Sequence, residues 1–238
     1  MVNNSLDTLI VVVGHGICMN PEAPNNESSW VGIYPNQARL LYAHCAAGVA
    51  EAANNPTSLL VFSGGATRPQ SGGLSEAESY RNIAETAQWW GKFDVASRSC
   101  LEPLAQDSLG NLVLSLAVFR NAVGHYPTRT IVCGFAFKQE RFYLHANAIR
   151  LPGEFIYRGI NNPSQQDGTL KAAIQGEACK RHALQEDPFL CADAWQEQRR
   201  LRNPFDQPPP FFPKMPKLQR FLDYLYNNGE PAKPVWLD

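Results

Sequence analysis

The stretch LLVFSGGATRPQSGGLSEAESYRN, residues 59–82, passes from an apolar run through a glycine-rich loop into the start of a helix. Its first four residues, 59–62, are all apolar, which is typical of a strand buried on both faces. Ser63-Gly64-Gly65 ends that run. Ser75 and Glu78 have the spacing of a capping box, which predicts that a helix begins there. The stretch therefore predicts a strand–loop–helix unit.

Similar units are predicted on both sides of this stretch. Further strands are expected at Thr8–Val13, Phe93–Ala96, 129–134 and 154–157, and residues 17–33 are expected to form a surface loop. Helices are expected over residues 35–51, 75–90, 137–150, 169–186 and 190–201, with another beginning at Asp107. Strands that alternate with helices predict an α/β fold with a mainly parallel sheet of five or more strands, covered on both faces.

Composition limits the classes of partner. The 238 residues are 44% hydrophobic and carry a net charge of −1, so neither nucleic acid nor an anionic membrane is an expected partner. The six cysteines include no CxxC pair, which favours free thiols in a reducing cytoplasm over a zinc site. The apolar run near the amino terminus is too short for a signal peptide or a membrane span. We expect a cytoplasmic protein.

The composition changes near residue 205. Five prolines between residues 208 and 216 predict an extended path, and Leu218, Phe221, Leu222 and Leu225 then predict a short amphipathic helix. We therefore expect one α/β domain over residues 1–205. Residues 206–238 are expected to form a proline-rich extension whose helix docks on that domain.

Four polar or glycine-rich loops follow predicted strands. They contain Gly14-His15-Gly16, Ser63-Gly64-Gly65, residues 102–111 and residues 135–141. Ligands of parallel α/β sheets bind beyond the carboxyl ends of the strands. The four loops are therefore expected to form one site for a small-molecule ligand.

His15 lies between two glycines at a strand end, and Gly14 and Gly16 would let a ligand approach it. It is a candidate general base, nucleophile or hydrogen-bond donor to phosphate. The alternative is a turn in which the histidine bonds only to nearby backbone.

The loop over residues 63–73 resembles an anion cradle. In this interpretation Ser63, the amides of Gly64 and Gly65, and the positive helix end at Ser75 face an anion, and Arg68 adds charge. The alternative is a simple surface connection. Glu76 lies in the first helical turn, where it can orient a substrate or His15.

Two further segments supply candidate residues. Glu102, Asp107, Ser108 and Asn111 lie at a predicted strand end and helix start, where Asp and Ser are also ordinary N-caps. The other three candidates, which share one helix face, are Lys138, Arg141 and His145. That face suits a phosphate or a carboxylate, although a merely solvated basic face is the alternative.

Several enzyme classes lack their motifs in this chain. There is no GxxxxGK[ST], no GxGxxG and no GxSxG. Gly14-His15-Gly16 differs from the Arg-His-Gly of histidine phosphatases because position 13 is valine. No cluster of His, Cys and Asp has metal-ligand spacing, so no metal is expected.

The ordered set of motifs resembles the YdcF-like (ElyC/SanA) family, also called domain of unknown function 218. The resemblance covers roughly residues 8–205 and rests on Ser63-Gly64-Gly65, Ser75-Glu76-Ala77, Glu102, Asp107-Ser108-x-x-Asn111 and the basic helix after the fourth strand. Residues 135–142, His145 and residues 199–205 are most similar to its fungal-type cytosolic branch. The resemblance implies a Rossmann-like three-layer sandwich with a pocket at the strand ends. S-adenosylmethionine is a ligand that it makes possible, and no other cofactor is implied.

Together these observations predict a protein that binds a small anionic, nucleotide-like ligand. If it has turnover, we expect a hydrolase or transferase acting on phosphoesters or phosphoanhydrides without a metal, with His15, Glu76 and Asp107 as catalytic residues. Two alternatives stay open: a non-catalytic ligand-binding or sensor protein, and a dehydratase or isomerase with His15 as general base.

Overall fold

The computed structural model describes residues 5–227, 229–232 and 236. The residues 1–4 of the expected domain, and 228, 233–235, 237 and 238 of the expected extension, lie outside the described residues. The strands are β1 (Thr8–Val13), β2 (Ile17–Cys18), β3 (Trp30–Val31), β4 (Ser58–Ser63), β5 (Ser99–Glu102), β6 (Arg129–Phe135) and β7 (Glu154–Asn161). The helices are α1 (Ala38–Asn54), α2 (Glu76–Thr86), α3 (Phe93–Ala96), α4 (Ser108–Val123), α5 (Gln139–Ala148), α6 (Thr169–Glu186), α7 (Asp193–Leu201) and α8 (Pro216–Tyr226).

The main sheet has five strands in the order β5-β4-β1-β6-β7, and every neighbouring pair is parallel. β1 lies at its centre, between β4 and β6, and all six of its residues are buried. After β1, the chain adds β4 and then β5 on one side of it. It then crosses to the other side of β1, where it adds β6 and then β7. The order therefore changes direction between β1 and β6, which is the topological switch point of a doubly wound sheet.

The two faces of the sheet bury alternate residues of each strand. On β1, Leu9, Val11 and Val13 contribute to the core shared with α4, α5 and α8. Ile10 and Val12 contribute to the core shared with α1 and α2. Helices thus cover both faces, and the prediction of a Rossmann-like three-layer α/β sandwich is confirmed.

Two local predictions were wrong. Phe93–Ala96 is the short helix α3, and the third strand of the sheet is Ser99–Glu102, which pairs with β4. Of the apolar residues in that stretch, Val95 is buried in the core whereas Phe93 is 63% exposed. The predicted loop over residues 17–33 contains the hairpin of β2 and β3, which the Trp30 indole supports by donating to the Pro24 carbonyl (2.8 Å).

Helix α8 belongs to the main core. Leu218, Phe221, Leu222 and Leu225 are each at most 1% exposed, as the amphipathic pattern predicts. Gln196 and Arg199 both donate to the Leu225 carbonyl, so α7 and α8 are joined by hydrogen bonds as well as packing. In the part of the chain that the structure describes, no helix has the length and apolar character needed to cross a membrane.

Candidate functional site

A cavity of about 620 Å³ lies at the carboxyl ends of the central strands. The residues that follow β1 and β6, the start of α4 and one side of α5 line its inner part. Helix α6, the segment around α7, the loop between β3 and α1, and the residues from Thr67 to the start of α2 also contribute to its lining. Its volume falls within the roughly 300–1,000 Å³ that small-molecule sites occupy, and its place in the sheet is where doubly wound folds bind ligands.

The cavity brings together ten of the sixteen predicted site residues. The ten are Gly14, His15, Arg68, Glu76, Asp107, Ser108, Asn111, Lys138, Arg141 and His145. The other six lie behind the lining or beside it. They are Gly16, Ser63, Gly64, Gly65, Ser75 and Glu102.

His15 and Lys138 meet at the switch point. His15 follows β1 and Lys138 follows β6, and the Lys138 Nζ lies 2.9 Å from the His15 Nδ1. The Phe135 ring packs edge-on against the imidazole, with 5.2 Å between centroids, and lies 5.6 Å from the Lys138 Nζ. The ends of the two neighbouring strands thus place an imidazole and an amine side by side against the Phe135 ring.

Protonation of this pair follows from its burial. Burial and the nearby Arg141 charge lower the pKa of Lys138 to about 7. Burial and the Lys138 charge together hold the pKa of His15 well below its usual value, so the imidazole is neutral. When Lys138 is an ammonium, it donates to Nδ1 and the ring proton lies on Nε2. The buried Nε2 has no hydrogen-bond partner among the described residues, so His15 has a donor left for a ligand.

Glu76 lies over the backbone of two strand ends. A β-carbon at Gly14 or at Gly64 would collide with its Oε2, so both glycines make room for the carboxyl group. Thr67 Oγ1 donates to the other oxygen, Oε1, at 3.0 Å. Burial raises the pKa of Glu76 to about 7. Near neutral pH this side chain can therefore both donate and accept a proton.

The proposed anion cradle needs correction, because its amides already have partners. Gly64 donates to the Glu102 carbonyl (2.9 Å) and Gly65 to the Ala105 carbonyl (2.7 Å). The first two amides of α2, those of Glu76 and Ala77, donate back to the carbonyls of Gly65 and Gly64.

The predicted ligand contact of Ser75 also needs correction. Ser75 forms the predicted capping box with Glu78 and is only 1% exposed. The amides of Gly64 and Gly65 and the first amides of α2 are therefore not free to bind an anion.

Ser63 and Glu102 form a buried network behind the cavity. Ser63 Oγ lies 2.6 Å from Glu102 Oε2 and 2.8 Å from Asn111 Oδ1. One hydroxyl proton cannot serve two acceptors, but burial raises the pKa of Glu102 to about 7. A protonated Glu102 can donate to Ser63, which then donates to Asn111. Ser63 and Glu102 therefore orient Asn111, and of the three only Asn111 lines the cavity.

Asp107 is engaged in structure rather than chemistry. Its Oδ2 pairs with Arg199 at 2.6 Å, and its Oδ1 caps α4 by accepting from the Gly110 amide at 2.7 Å. Burial acts to raise its pKa, but Arg199 and the amide outweigh burial and the pKa is lowered. A carboxylate that is held ionised by two partners is a poor acid or base, so these contacts favour a structural role for Asp107 over the predicted catalytic one.

Ser108 and His145 form a second pair at the start of α4. Ser108 Oγ lies 2.8 Å from His145 Nε2. Burial and Arg141 lower the pKa of His145 to about 3, so this imidazole is neutral as well. The pair supplies neutral hydrogen-bonding groups to the cavity.

Sequence reasoning missed the residues contributed by α6 and α7. Glu177 on α6 lies 3.2 Å from Arg141 and 3.8 Å from Lys180, and Arg202 donates to the Gln106 carbonyl (2.8 Å). All four charged groups line the cavity. Both helices follow the last strand, so no strand-end rule points to them. The only signal was the family resemblance of residues 199–205.

No group of three or more His, Cys, Asp or Glu side chains within the described ranges is arranged to hold a metal ion.

Comparison with known proteins finds similarity to a curated yeast protein. The chain is 27% identical over 198 residues to the uncharacterized protein YOR238W of Saccharomyces cerevisiae. The match covers 65% of this chain and 65% of the yeast protein. No family model matches the chain. No solved structure matches it either.

Proposed function

We propose that the protein binds a small phosphorylated, nucleotide-like molecule at the carboxyl ends of its strands. The observation that carries this proposal is the His15–Lys138 pair, 2.9 Å apart at the switch point of the sheet. A charged ammonium and a neutral imidazole that still has an unpartnered nitrogen are well suited to phosphate oxygens. Apolar lining from Leu184, Leu190 and Trp195 is available for the organic part of the ligand.

The charge of the cavity supports an anionic ligand. Five cationic side chains line it, namely Arg68, Lys138, Arg141, Lys180 and Arg202, against three carboxylates, Glu76, Asp107 and Glu177. Asp107 is already paired with Arg199. The excess of cations favours a phosphate over S-adenosylmethionine, whose sulfonium and ammonium groups are both positive.

If the protein has turnover, Glu76 is a better candidate for the acid and base than His15. An anion beside Lys138 favours the ammonium form, which keeps the His15 proton on Nε2 and leaves that nitrogen a donor. This disfavours His15 as a nucleophile or as the general base of a dehydratase or isomerase. In phosphoester hydrolysis a water oxygen would bond to phosphorus as the bond to the leaving oxygen breaks. Protonated Glu76 would give its proton to the leaving oxygen and regain one from the attacking water.

A non-catalytic binding or sensor protein is the second candidate. Asp107 favours this candidate, because its carboxylate is engaged in an ion pair and a helix cap. Of the two predicted catalytic carboxylates, Glu76 is then the one without a cationic partner within hydrogen-bonding distance.

The same proposal includes membership of the YdcF-like family, in its fungal-type cytosolic branch, and a cytoplasmic location.

The binding proposal predicts a loss of phosphate affinity in His15→Ala. A hydrogen bond to a charged group is worth roughly 1.5–3 kcal/mol, so the dissociation constant for inorganic phosphate should rise by about tenfold or more. Isothermal titration calorimetry measures this, and nucleoside monophosphates extend the same series. His182→Ala is the matched control, because His182 is exposed on α6 and does not line the cavity. Phosphate binding that is equally strong in both variants would contradict the proposal.

Glu76→Gln tests the environment of the carboxyl group. The folded pKa of about 7 lies above the ordinary 4.5, so folding is destabilised as pH rises through this window and Glu76 ionises. Glutamine cannot ionise. Glu76→Gln should therefore gain stability relative to wild type by about 2.5 kcal/mol between about pH 5 and pH 8. Urea unfolding at the two pH values measures the difference, and a difference that does not change with pH would contradict the assigned environment.

A further inference from the structure

We propose that the ligand of this cavity carries two adjacent anionic groups, as a diphosphate does, and that Arg141, Lys180 and Arg202 bind the second group. The inference rests on the proposed function, because it assumes that the first group lies at Lys138 and His15. It assigns a ligand-binding role to two residues, Lys180 and Arg202, that neither a strand end nor a motif indicates.

The first support is the placement of the cations. Arg141 comes from α5, Lys180 from α6 and Arg202 from the residue that follows α7, and all three line the same cavity as Lys138. Three separate elements therefore each contribute a cationic side chain to the lining of the same cavity. Buried Glu177 is the only carboxylate in contact with them among the described residues, at 3.2 Å from Arg141 and 3.8 Å from Lys180. One carboxylate cannot neutralise three cations.

The second support is that these cations act on one another. After burial, the charges of Arg141 and Lys180 both lower the pKa of Lys138. The charge of Arg202 acts in the same direction on Arg141 and on Lys180. The four side chains therefore form one cationic cluster in the cavity, and Glu177 offsets their mutual repulsion in part at Lys138, Arg141 and Lys180. A single phosphate has about −1.5 to −2 charges, which leaves part of the cluster uncompensated, whereas a second adjacent phosphate reaches the remaining cations.

The contacts within the cluster leave room for such a ligand. The buried Arg141 Nε is close to Glu177 but forms no hydrogen bond to it or to any other described residue. Glu177 Oε2 likewise has no hydrogen-bond donor among the described residues. Arg141 Nε is thus held near Glu177 by charge rather than by a directed bond. Lys180 faces Glu177 with one ammonium donor and keeps its others for phosphate oxygens.

The test compares inorganic pyrophosphate with inorganic phosphate by isothermal titration calorimetry. Wild type should bind pyrophosphate at least tenfold more tightly than phosphate. Pyrophosphate carries more negative charge than phosphate, so it would bind more tightly to any basic surface. The specific test of the second subsite is therefore the variant Lys180→Ala. It should weaken pyrophosphate binding about tenfold and change phosphate binding by less than twofold. Lys171→Ala, which removes an exposed lysine from the same helix, should change neither.

The outcomes separate this inference from the proposed function. If Lys180→Ala weakens both anions equally, or if it changes neither, the second subsite is wrong while phosphate binding at Lys138 and His15 still stands. If wild type binds neither anion, the proposed function fails and the inference fails with it. The Lys180 side chain is 39% exposed, so its removal leaves the core intact, and a thermal melt of each variant verifies this.

Discussion

Replacing Arg199 with alanine is expected to lower the free energy of unfolding by about 3–5 kcal/mol. The Arg199 side chain is 5% exposed, and its Nε lies 2.6 Å from the Oδ2 of Asp107, which is 7% exposed. Removing the guanidinium leaves a buried carboxylate without its counter-charge. The substitution also removes the donor to the carbonyls of Leu190 and Leu225, through which α7 holds α8.

The neighbouring residue provides a matched control. Arg200 is 71% exposed and pairs with Glu197 on the same helix. Arg200→Ala removes the same side chain from the same helix and should change stability by no more than about 0.5 kcal/mol. Urea unfolding of both variants gives the comparison. If the two variants lose similar amounts of stability, the Arg199–Asp107 pair does not hold α7 against the start of α4.

Lys138→Met should make the protein more stable, and the gain should depend on pH. The folded pKa of Lys138 is about 7 against an ordinary 10.5, so below about pH 7 folding has to bury a charged ammonium. Stability of the wild type therefore rises as pH increases from about 7 toward 10.5, because the folded lysine has then lost its proton. Methionine has a similar shape and no charge.

The expected gain follows from that pKa difference. After about 1.5 kcal/mol is subtracted for the lost hydrogen bond to His15, Lys138→Met should be more stable than wild type by about 3 kcal/mol at about pH 6. At about pH 9.5 the two proteins should be nearly equally stable. Lys171→Met, on the exposed side of α6, is the control and should be neutral at both values. If the gain in stability is the same at both pH values, burial does not lower the pKa of Lys138 in the folded protein.

Such a gain in stability would accompany a loss of function. A site that holds a charge at a cost to folding is typical of binding and catalytic centres, where stability and activity oppose each other. The same substitution that stabilises the protein should therefore weaken binding of inorganic phosphate.

The fold could be predicted because its main elements have strong local signals. β1 and β4 each contain an unbroken apolar run, at residues 9–13 and 59–62, that is buried on both faces. Asp107 and Ser75 are N-caps in the structure, as the sequence predicts. β5 was missed because Ser99–Glu102 carries only a weak apolar signal. It is an edge strand, and the adjacent Arg98 anchors it by donating to backbone carbonyls of Ser58 and Ala52.

The residues that line the candidate site could be predicted where they follow a strand, and could not be predicted where helix packing brings them to the cavity. His15, Glu76 and Lys138 follow strands or begin a helix, so topology alone brings them to one edge of the sheet. Whether the amides of Gly64 and Gly65 are free depends on how the loop after β5 folds back against them, which no local pattern shows. Lys180 and Arg202 line the cavity because α6 and α7 pack across it, and helix packing is a tertiary property.

The most direct test of anion binding at Lys138 and His15 is a crystal structure of the protein co-crystallised with tungstate, an electron-dense analogue of phosphate. The anomalous signal locates the tungsten atom without reference to any assumed ligand. A peak is expected inside the cavity, with oxygens within hydrogen-bonding distance of Lys138 Nζ and His15 Nε2. A cavity without a peak at saturating tungstate, or a peak against the loop of Gly64 and Gly65 instead, would contradict it.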